Sequence, residues 1–247
     1  DDEPDAAIFS KTDLTINGKG TLILVSNYKD GIASKDDLII LNSTIILDTI
    51  DDGIRGKDSV VIQNAKIKID AEGDGIKATN TETDLGYIYI DGGIYSIDVK
   101  GDGIDTENIV EITGEPTINI TTTGEVEDKT TSISRQLQFT GTRNFADDLK
   151  TGDDSEDSIS SKGIKADKGI VVDNGEITIT STDDAIHSNG YIIIDNINAL
   201  ISTGDDGIHA EQSIIINNGT INITKSYEGI EAQYIEINDG KISLIAS

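Results

Sequence analysis

The sequence predicts an all-β fold, a right-handed parallel β-helix (solenoid) of about nine rungs with three short strands per 22-residue rung. A short Ile-containing motif recurs at a fixed interval, and the segments between its copies alternate apolar and polar residues with period two. The composition agrees, because 36% of the residues are hydrophobic but only 4% are aromatic, with no Trp and no Met. Such a core must be built from small and β-branched side chains in regular layers.

A Gly-Ile or Ala-Ile step sets the length of the rung. Its isoleucines are Ile32, Ile54, Ile76, Ile104, Ile164, Ile186, Ile208 and Ile230, at intervals of 22, 22, 28, 60, 22, 22 and 22 residues. The interval of 28 predicts a short insertion near 79–84, and the interval of 60 predicts a long loop insertion near 125–161. Ile8 is expected to open a first, degenerate rung. We therefore expect residues 1–247 to form a single β-helix domain.

Each period holds three strands joined by tight turns. In the rung that begins at Ile54, the inward pairs after the first strand are Val60 with Ile62 and Ile67 with Ile69. The position ten residues after the repeated Ile is Asn or Gly, which tolerate a left-handed backbone, so we expect a turn between the second and third strands there. This column contains Asn42, Asn64, Gly92, Gly114, Asn174, Asn196 and Asn218.

Carboxylates recur immediately before the Gly-Ile step. Stacked rungs would bring them about 4.8 Å apart, where like charges repel unless a cation neutralises them. Repeated Asp at a sharp turn is oxygen-ligand chemistry, so we expect calcium to lie between consecutive rungs. The candidate metal ligands are Asp51, Asp52, Asp74, Asp102, Asp105, Asp183, Asp184, Asp205 and Asp206.

The residue after each repeated Ile faces outward and is often basic. Two interpretations remain open: these side chains balance the charge of the Asp column, or they bind carboxylated sugars beside the calcium edge. Two neighbouring members of the column are histidines, which offer a transition metal two ligands, but there is no third His or Cys to complete a site. The candidate ligand-binding residues are Arg55, Lys77, Lys165, His187 and His209.

Charge and composition exclude several classes of partner. A formal net charge of −27 argues against binding nucleic acid, which requires a basic surface, and disfavours an anionic membrane surface. With no Cys, disulfides and thiolate metal sites are ruled out. No apolar stretch reaches the 18 residues that a membrane-spanning helix needs, so we expect no membrane insertion. The open ends of a solenoid would allow weak self-association.

The repeats resemble those of known β-helix proteins. The 22-residue rungs, the Asn column and the Asp-Asp-Gly-Ile turns resemble the pectate lyase-like superfamily. The repeats Asp52-Gly53-Ile54-Arg55-Gly56 and Lys162-Gly163-Ile164-Lys165-Ala166 more closely resemble a family of bacterial carbohydrate-binding β-helix domains found in cellulolytic anaerobes. This resemblance covers nearly the whole chain from about Ile8. It implies a secreted protein with calcium sites at the aspartates named above that binds polygalacturonate and cellulose.

Three functions are consistent with these patterns. The preferred one is a secreted, non-catalytic carbohydrate-binding module in which calcium bridges the Asp column to plant cell-wall polysaccharide, polygalacturonate (pectin) first and cellulose second. An alternative is a calcium-dependent polysaccharide (pectate) lyase that uses Lys77 as its base. Another is a structural or adhesive surface rod. Cellulose binding has the least support in the sequence, because Tyr87, Tyr89, Tyr191, Tyr227 and Tyr234 form no evident row.

Overall fold

A computed structural model describes residues 6–124 and 160–247. These residues form parallel strands that wind into a β-solenoid of about nine turns, so the predicted fold class is confirmed. Every strand pairs in parallel with the equivalent strand one turn away, which gives the solenoid three faces. No helix among the described residues is suited to crossing a membrane.

The strands of each face follow one another along the axis. The first face contains β1 (Ala6–Ser10), β4 (Asp30–Ser34), β7 (Ile54–Gly56), β10 (Ile76–Ala78), β13 (Ile104–Thr106), β16 (Ile164–Ala166), β18 (Ile186–Ser188), and the beginnings of β20 (Ile208–Ile216) and β22 (Ile230–Ile237). The second face contains β2 (Leu14–Asn17), β5 (Asp37–Leu41), β8 (Ser59–Gln63), β11 (Tyr87–Asp91), β14 (Ile109–Thr113), the beginnings of β17 (Gly169–Ser181) and β19 (Tyr191–Thr203), and the ends of β20 and β22. The third face contains β3 (Thr21–Ser26), β6 (Thr44–Thr49), β9 (Lys66–Ala71), β12 (Ile94–Val99), β15 (Thr117–Thr122), the ends of β17 and β19, β21 (Gly219–Lys225) and β23 (Lys241–Leu244).

The repeated isoleucines stack as the sequence intervals predict. Ile8 pairs with Ile32, so the degenerate first rung is present. Across the interval of 28, Ile76 pairs with Ile104, and the six additional residues of this turn lie between β10 and β11. Across the interval of 60, Ile104 pairs with Ile164. Residues 125–159, which hold most of the predicted long insertion, lie outside the described residues.

The core is a stack of inward aliphatic side chains. Nearly all of its buried members are Ile, Val, Leu or Ala, and Tyr95 is the largest fully buried side chain. The hydroxyl of Tyr95 donates a hydrogen bond to the carbonyl oxygen of Gly92 at 2.9 Å, which satisfies its polar end inside the core. Burial of the hydrophobic rungs against one another makes stability cooperative along the axis.

The corner between the second and third faces is the turn predicted from the Asn column. Asn42, Asn64, Asn174 and Asn196 have φ between 47° and 64°, and Gly92 and Gly114 adopt φ of 65° and 72°. Rung eight differs, because the positive φ (127°) falls on Gly219, one residue after Asn218. A left-handed residue at this corner redirects the chain onto the third face without interrupting the stack.

The corner between the third and first faces is tighter, and glycine occupies it in seven of the nine rungs, with Ala7 and Ala185 in the other two. A Cβ on Gly75 would lie 2.5 Å from the carbonyl oxygen of Gly103 and 2.6 Å from Cγ2 of Ile97. The backbone of consecutive rungs therefore approaches closely here, and the residue before each glycine is held at a fixed place beside the first face.

Candidate functional site

A column of buried aspartates follows this tight corner along the axis; we call it the acidic edge. Its members are at most 9% exposed, although each is acidic: Asp30, Asp52, Asp74, Asp102, Asp184 and Asp206. Burial of a carboxylate is costly unless both of its oxygens are satisfied. The contacts of these oxygens therefore show what the column does.

One oxygen of each carboxylate accepts a backbone hydrogen bond from the next rung. The backbone N–H of Asp74 donates to Oδ1 of Asp52 at 2.9 Å, and that of Asp102 donates to Oδ1 of Asp74 at 2.6 Å. The ladder continues from Lys162 N–H to Asp102 and from Asp206 N–H to Asp184, at 2.7 and 3.0 Å. The acidic edge thus joins successive rungs at the corner where the backbone turns.

The second oxygen faces the outward column of the first face. Arg55 Nε contacts Oδ2 of Asp30 at 2.7 Å, and Lys77 Nζ contacts Oδ2 of Asp74 at 2.5 Å. Lys165 Nζ lies 3.2 Å from Asp102 Oδ2. The predicted charge balance is therefore present in these rungs, whereas the predicted contact with carboxylated sugars stays a prediction.

Asp105 lies on the first face itself, between two of these lysines. Its carboxylate is 3.4 Å from Lys77 Nζ and 3.1 Å from Lys165 Nζ. Burial alone would lower the pKa of both ammonium groups, but the carboxylates around them raise it, those of Asp74 for Lys77 and Asp102 for Lys165. Both lysines are therefore held protonated.

The buried aspartates feel the opposite effect. Burial raises the pKa of Asp52, Asp74 and Asp102 above the ordinary value, and the nearby lysines offset only part of that shift. Asp184 differs. Burial disfavours its charge as well, but the hydrogen bond with His187 and the charge of Lys162 lower its pKa to about 2.

Two all-oxygen clusters at the acidic edge match the donor chemistry of calcium. In the groups Asp30–Asp51–Asp52 and Asp183–Asp184–Asp205, the carboxylate oxygens lie within 4.8 Å of one another. Each cluster already contacts a cationic side chain, since Lys29 Nζ is 3.1 Å from Asp51 Oδ2 and Lys162 Nζ contacts Asp183 and Asp184. A calcium ion would have to displace or share these contacts, and the calcium assignment stays a prediction.

The two histidines stack in consecutive rungs, as predicted. Their ring centroids are 4.8 Å apart with an interplanar angle of 88°. His187 Nδ1 lies 2.8 Å from Asp184 Oδ2, and His209 Nδ1 lies 3.7 Å from both Asp184 Oδ2 and Asp206 Oδ2. The structure therefore joins these histidines to one end of the acidic edge.

The outer side of the second face carries an arrangement that the sequence analysis missed. Its middle lane in rungs two to eight is a half-buried stripe, apolar except for the exposed Glu111; we call it the apolar stripe. A lane of hydrogen-bonding side chains follows one side of the stripe, on Gln63, Asp91, Thr113, Asp173 and Asp195. The stripe itself contains Ile39, Val61, Tyr89, Val171, Ile193 and Ile215.

A groove opens on this face beside the short insertion. It has a volume of about 390 Å³, and two outward tyrosines of β11, Tyr87 and Tyr89, lie in its wall with Val61 and Glu111. The hydroxyl of Tyr89 is 3.3 Å from Oγ1 of Thr113. The insertion is anchored over the groove by Asn108, whose Nδ2 donates to the carbonyl oxygen of Leu85 at 2.8 Å.

The same face brings a third tyrosine into line. Tyr87 and Tyr191 occupy equivalent positions three rungs apart, with Ile109 and Gly169 between them. The ring of Tyr191 lies over Gly169, where a Cβ would be 2.5 Å from its Cζ. The tyrosines therefore form a partial row, which was not visible in the sequence because the long insertion separates Tyr87 from Tyr191 along the chain.

Fold and surface together define a repeat protein of the parallel β-solenoid class with a long amphipathic face. A family model described as "carbohydrate-binding domain-containing protein" matches residues 1–207, and the chain belongs to this family. A carbohydrate-binding domain-containing protein of Acetivibrio thermocellus is 51% identical over 113 residues. That match covers 45% of this chain and 40% of the relative, so it spans less than half of either protein. No solved structure gives a significant match.

Proposed function

We propose that this domain is a secreted, non-catalytic module that binds plant cell-wall polysaccharide, and that it is related to the pectate lyase-like superfamily. The observation that carries the proposal is the outer side of the second face, where the apolar stripe and the tyrosines are bordered by hydrogen-bonding side chains. Membership of the carbohydrate-binding family supports the general class of ligand. Secretion follows from the ligand, because plant cell-wall polymers lie outside the cell that would use them.

A sugar chain and this face are complementary in chemistry. A pyranose ring has apolar C–H faces and a polar rim of hydroxyls, so it can lie on Tyr and aliphatic side chains while its rim reaches polar neighbours. Asp91 and Asp195 offer acceptors, and Thr113 offers both a donor and an acceptor. A regular polymer can repeat these contacts from rung to rung, which makes cellulose the ligand that this face favours.

Polygalacturonate is the second candidate, and it would bind by a different route. A protein of net charge −27 repels a polyuronate, so a divalent cation must bridge the two. The all-oxygen clusters at Asp30–Asp51–Asp52 and Asp183–Asp184–Asp205 are where calcium would be held. In this arm of the proposal the ion links a protein carboxylate to a sugar carboxylate, and a chelator removes binding.

The surroundings of Lys77 favour binding over catalysis. A lyase base must be able to accept a proton from the substrate. Lys77 Nζ is instead fixed between Asp74 and Asp105, at 2.5 and 3.4 Å, and the carboxylates around it raise its pKa. Its ammonium serves the acidic edge, which supports a non-catalytic role.

The two routes are tested by measuring how much protein insoluble cellulose and insoluble polygalacturonate remove from solution, each in the presence of calcium and of chelator. Release of unsaturated sugar product is measured in the same samples. We expect cellulose to deplete the protein in both buffers, polygalacturonate to do so with calcium alone, and neither to release product. Absence of depletion on both polymers would leave the structural rod, and product release would make the protein a lyase.

The assignment of sugar binding to the outer side of the second face is tested by the double variant Tyr87→Ala/Tyr89→Ala. Loss of two sugar-stacking side chains at about 1 kcal/mol each should weaken cellulose binding at least tenfold. The matched control is Tyr227→Ala, which removes a tyrosine that is 63% exposed and precedes the first face of rung nine. Equal binding by the double variant and the control would refute the assignment to this face.

A further inference from the structure

Rungs seven and eight differ from the rungs before them in the cation that faces the acidic edge. In rungs three, four and six the outward position holds Arg55, Lys77 and Lys165, which carry a fixed positive charge. The two following positions in register are His187 and His209. Imidazole can accept a metal ion where an ammonium group cannot, so these rungs have a chemical capacity that the others lack.

The three potential ligand atoms converge from two rungs. Asp184 Oδ2, which is 6% exposed as a side chain, is 2.8 Å from His187 Nδ1 and 3.7 Å from His209 Nδ1. The donor atoms of Asp184, His187 and His209 all lie within 4.8 Å of one another. An overlapping group, Asp206–His209–Glu231, adds two further carboxylates near the second imidazole, and Asp206 Oδ2 lies 3.7 Å from His209 Nδ1.

The polar contacts of His187 fix the orientation of its ring. Asn189 donates through Nδ2 to Asp167 Oδ1 at 2.8 Å, so its Oδ1 is the atom that faces His187 Nε2, at 3.1 Å. The other ring nitrogen, Nδ1, faces Oδ2 of Asp184 at 2.8 Å. Asn189 therefore holds the ring at one nitrogen, and the other nitrogen is directed at the carboxylate.

We propose that Asp184, His187 and His209 bind one divalent transition-metal ion, of the class of Zn²⁺, Co²⁺, Ni²⁺ or Cu²⁺. Two imidazole nitrogens and one carboxylate oxygen are the ligands that these ions prefer, whereas the nitrogen donors disfavour calcium and magnesium. Asn189 supplies the outer contact that fixes the ring of His187, as metal-bound histidines require. Solvent or one of the carboxylates of Asp206 and Glu231 completes the coordination.

The present distances need only a small adjustment. Tetrahedral ligands at 2.0–2.1 Å from zinc lie about 3.3 Å apart. The observed separations of 2.8 and 3.7 Å lie on either side of that value, and rotation of two half-buried imidazoles would equalise them. The site shares Asp184 with the cluster Asp183–Asp184–Asp205 of the polygalacturonate route. It is separate from the second face, so it stands or fails independently of the proposed cellulose binding.

The test is zinc binding by the full chain without a histidine tag, measured by competition with a chromogenic chelator. We expect one zinc ion per chain with millimolar calcium present. His187→Gln and His209→Gln should each weaken binding at least tenfold, and Asn189→Ala by about 10- to 100-fold through the loss of ring orientation. The matched control Asp51→Asn, which alters an all-oxygen cluster, should bind zinc as the parent chain does.

A second measurement does not depend on variants that could misfold. The chain has two histidines, so electron paramagnetic resonance of the Cu²⁺ form should show coupling to two imidazole nitrogens. Failure to bind zinc, or affinity unchanged in both histidine variants, would overturn the proposal. A Cu²⁺ spectrum with oxygen ligands alone would do the same.

Discussion

Substitution of Asp102 separates the two tasks that a carboxylate performs at the acidic edge. Asp102 is 1% exposed. Its Oδ1 accepts a hydrogen bond from the backbone N–H of Lys162 at 2.7 Å, and its Oδ2 lies 3.2 Å from Lys165 Nζ. Asp102→Ala removes both acceptors and leaves a backbone donor without its partner inside the corner. Asp102→Asn keeps an oxygen for the backbone donor and removes only the charge.

The structure gives different magnitudes for the two variants. Loss of a buried hydrogen bond to a charged group costs about 1.5–3 kcal/mol. Lys165 retains Asp105 at 3.1 Å, and burial already disfavours the charge of Asp102, so loss of the ion pair adds little. We therefore expect Asp102→Ala to lower the free energy of unfolding by about 2–3 kcal/mol and Asp102→Asn by about 1 kcal/mol or less.

Urea denaturation followed by circular dichroism measures both values, with chelator present so that bound metal does not contribute. Asp98→Asn, an exposed position on the third face, is the control and should change the free energy of unfolding by less than about 0.5 kcal/mol. If Asp102→Asn proves as damaging as Asp102→Ala, the charge rather than the backbone ladder stabilises the corner, and the reasoning is refuted.

Two further predictions concern the turn column and pH. Asn64 has φ of 50°, so Asn64→Ala should cost about 1 kcal/mol and Asn64→Gly should cost less, as compared by urea denaturation. Burial raises the pKa of Asp74, so the native state binds that proton more tightly than the unfolded chain and stability should increase as pH falls from 7 towards the unfolded value near 4. Asp184 has a pKa of about 2, so its contribution should be lost between about pH 4 and pH 2. Urea midpoints that decrease steadily from pH 7 downwards would contradict the expected gain on mild acidification.

The fold could be predicted because its determinants repeat along the chain. A fixed interval between isoleucines requires a fixed register, and Ile104 pairs with Ile164 in the structure although they are 60 positions apart in the chain. The Asn column was equally visible, because left-handed geometry restricts the choice of residue. The exception at Gly219 could not be predicted, because Asn218 preserves the sequence pattern while the adjacent glycine takes the positive φ.

The candidate site was only partly accessible from the sequence. The spacing placed the Asp column correctly but could not show that Oδ1 of Asp74 accepts a backbone N–H, because alternation and spacing carry no information on which atom a side chain offers. The row formed by Tyr87 and Tyr191 was hidden for another reason. They are 104 residues apart in number, yet only three rungs apart once the long insertion is placed outside the stack.

In the cellulose route of the proposed function, stability and ligand binding depend on different parts of the solenoid, and that separation has a physical basis. The acidic edge lies at the corner between the third and first faces, and its oxygens are directed at the backbone and at Lys77 or Lys165, so few remain for a sugar. The second face does not border that corner, and its outward side chains make few polar contacts with the rest of the chain. Asp102→Asn should therefore leave cellulose binding unchanged. Because one corner joins the rungs, the outward side chains of the second face can be adapted to the ligand.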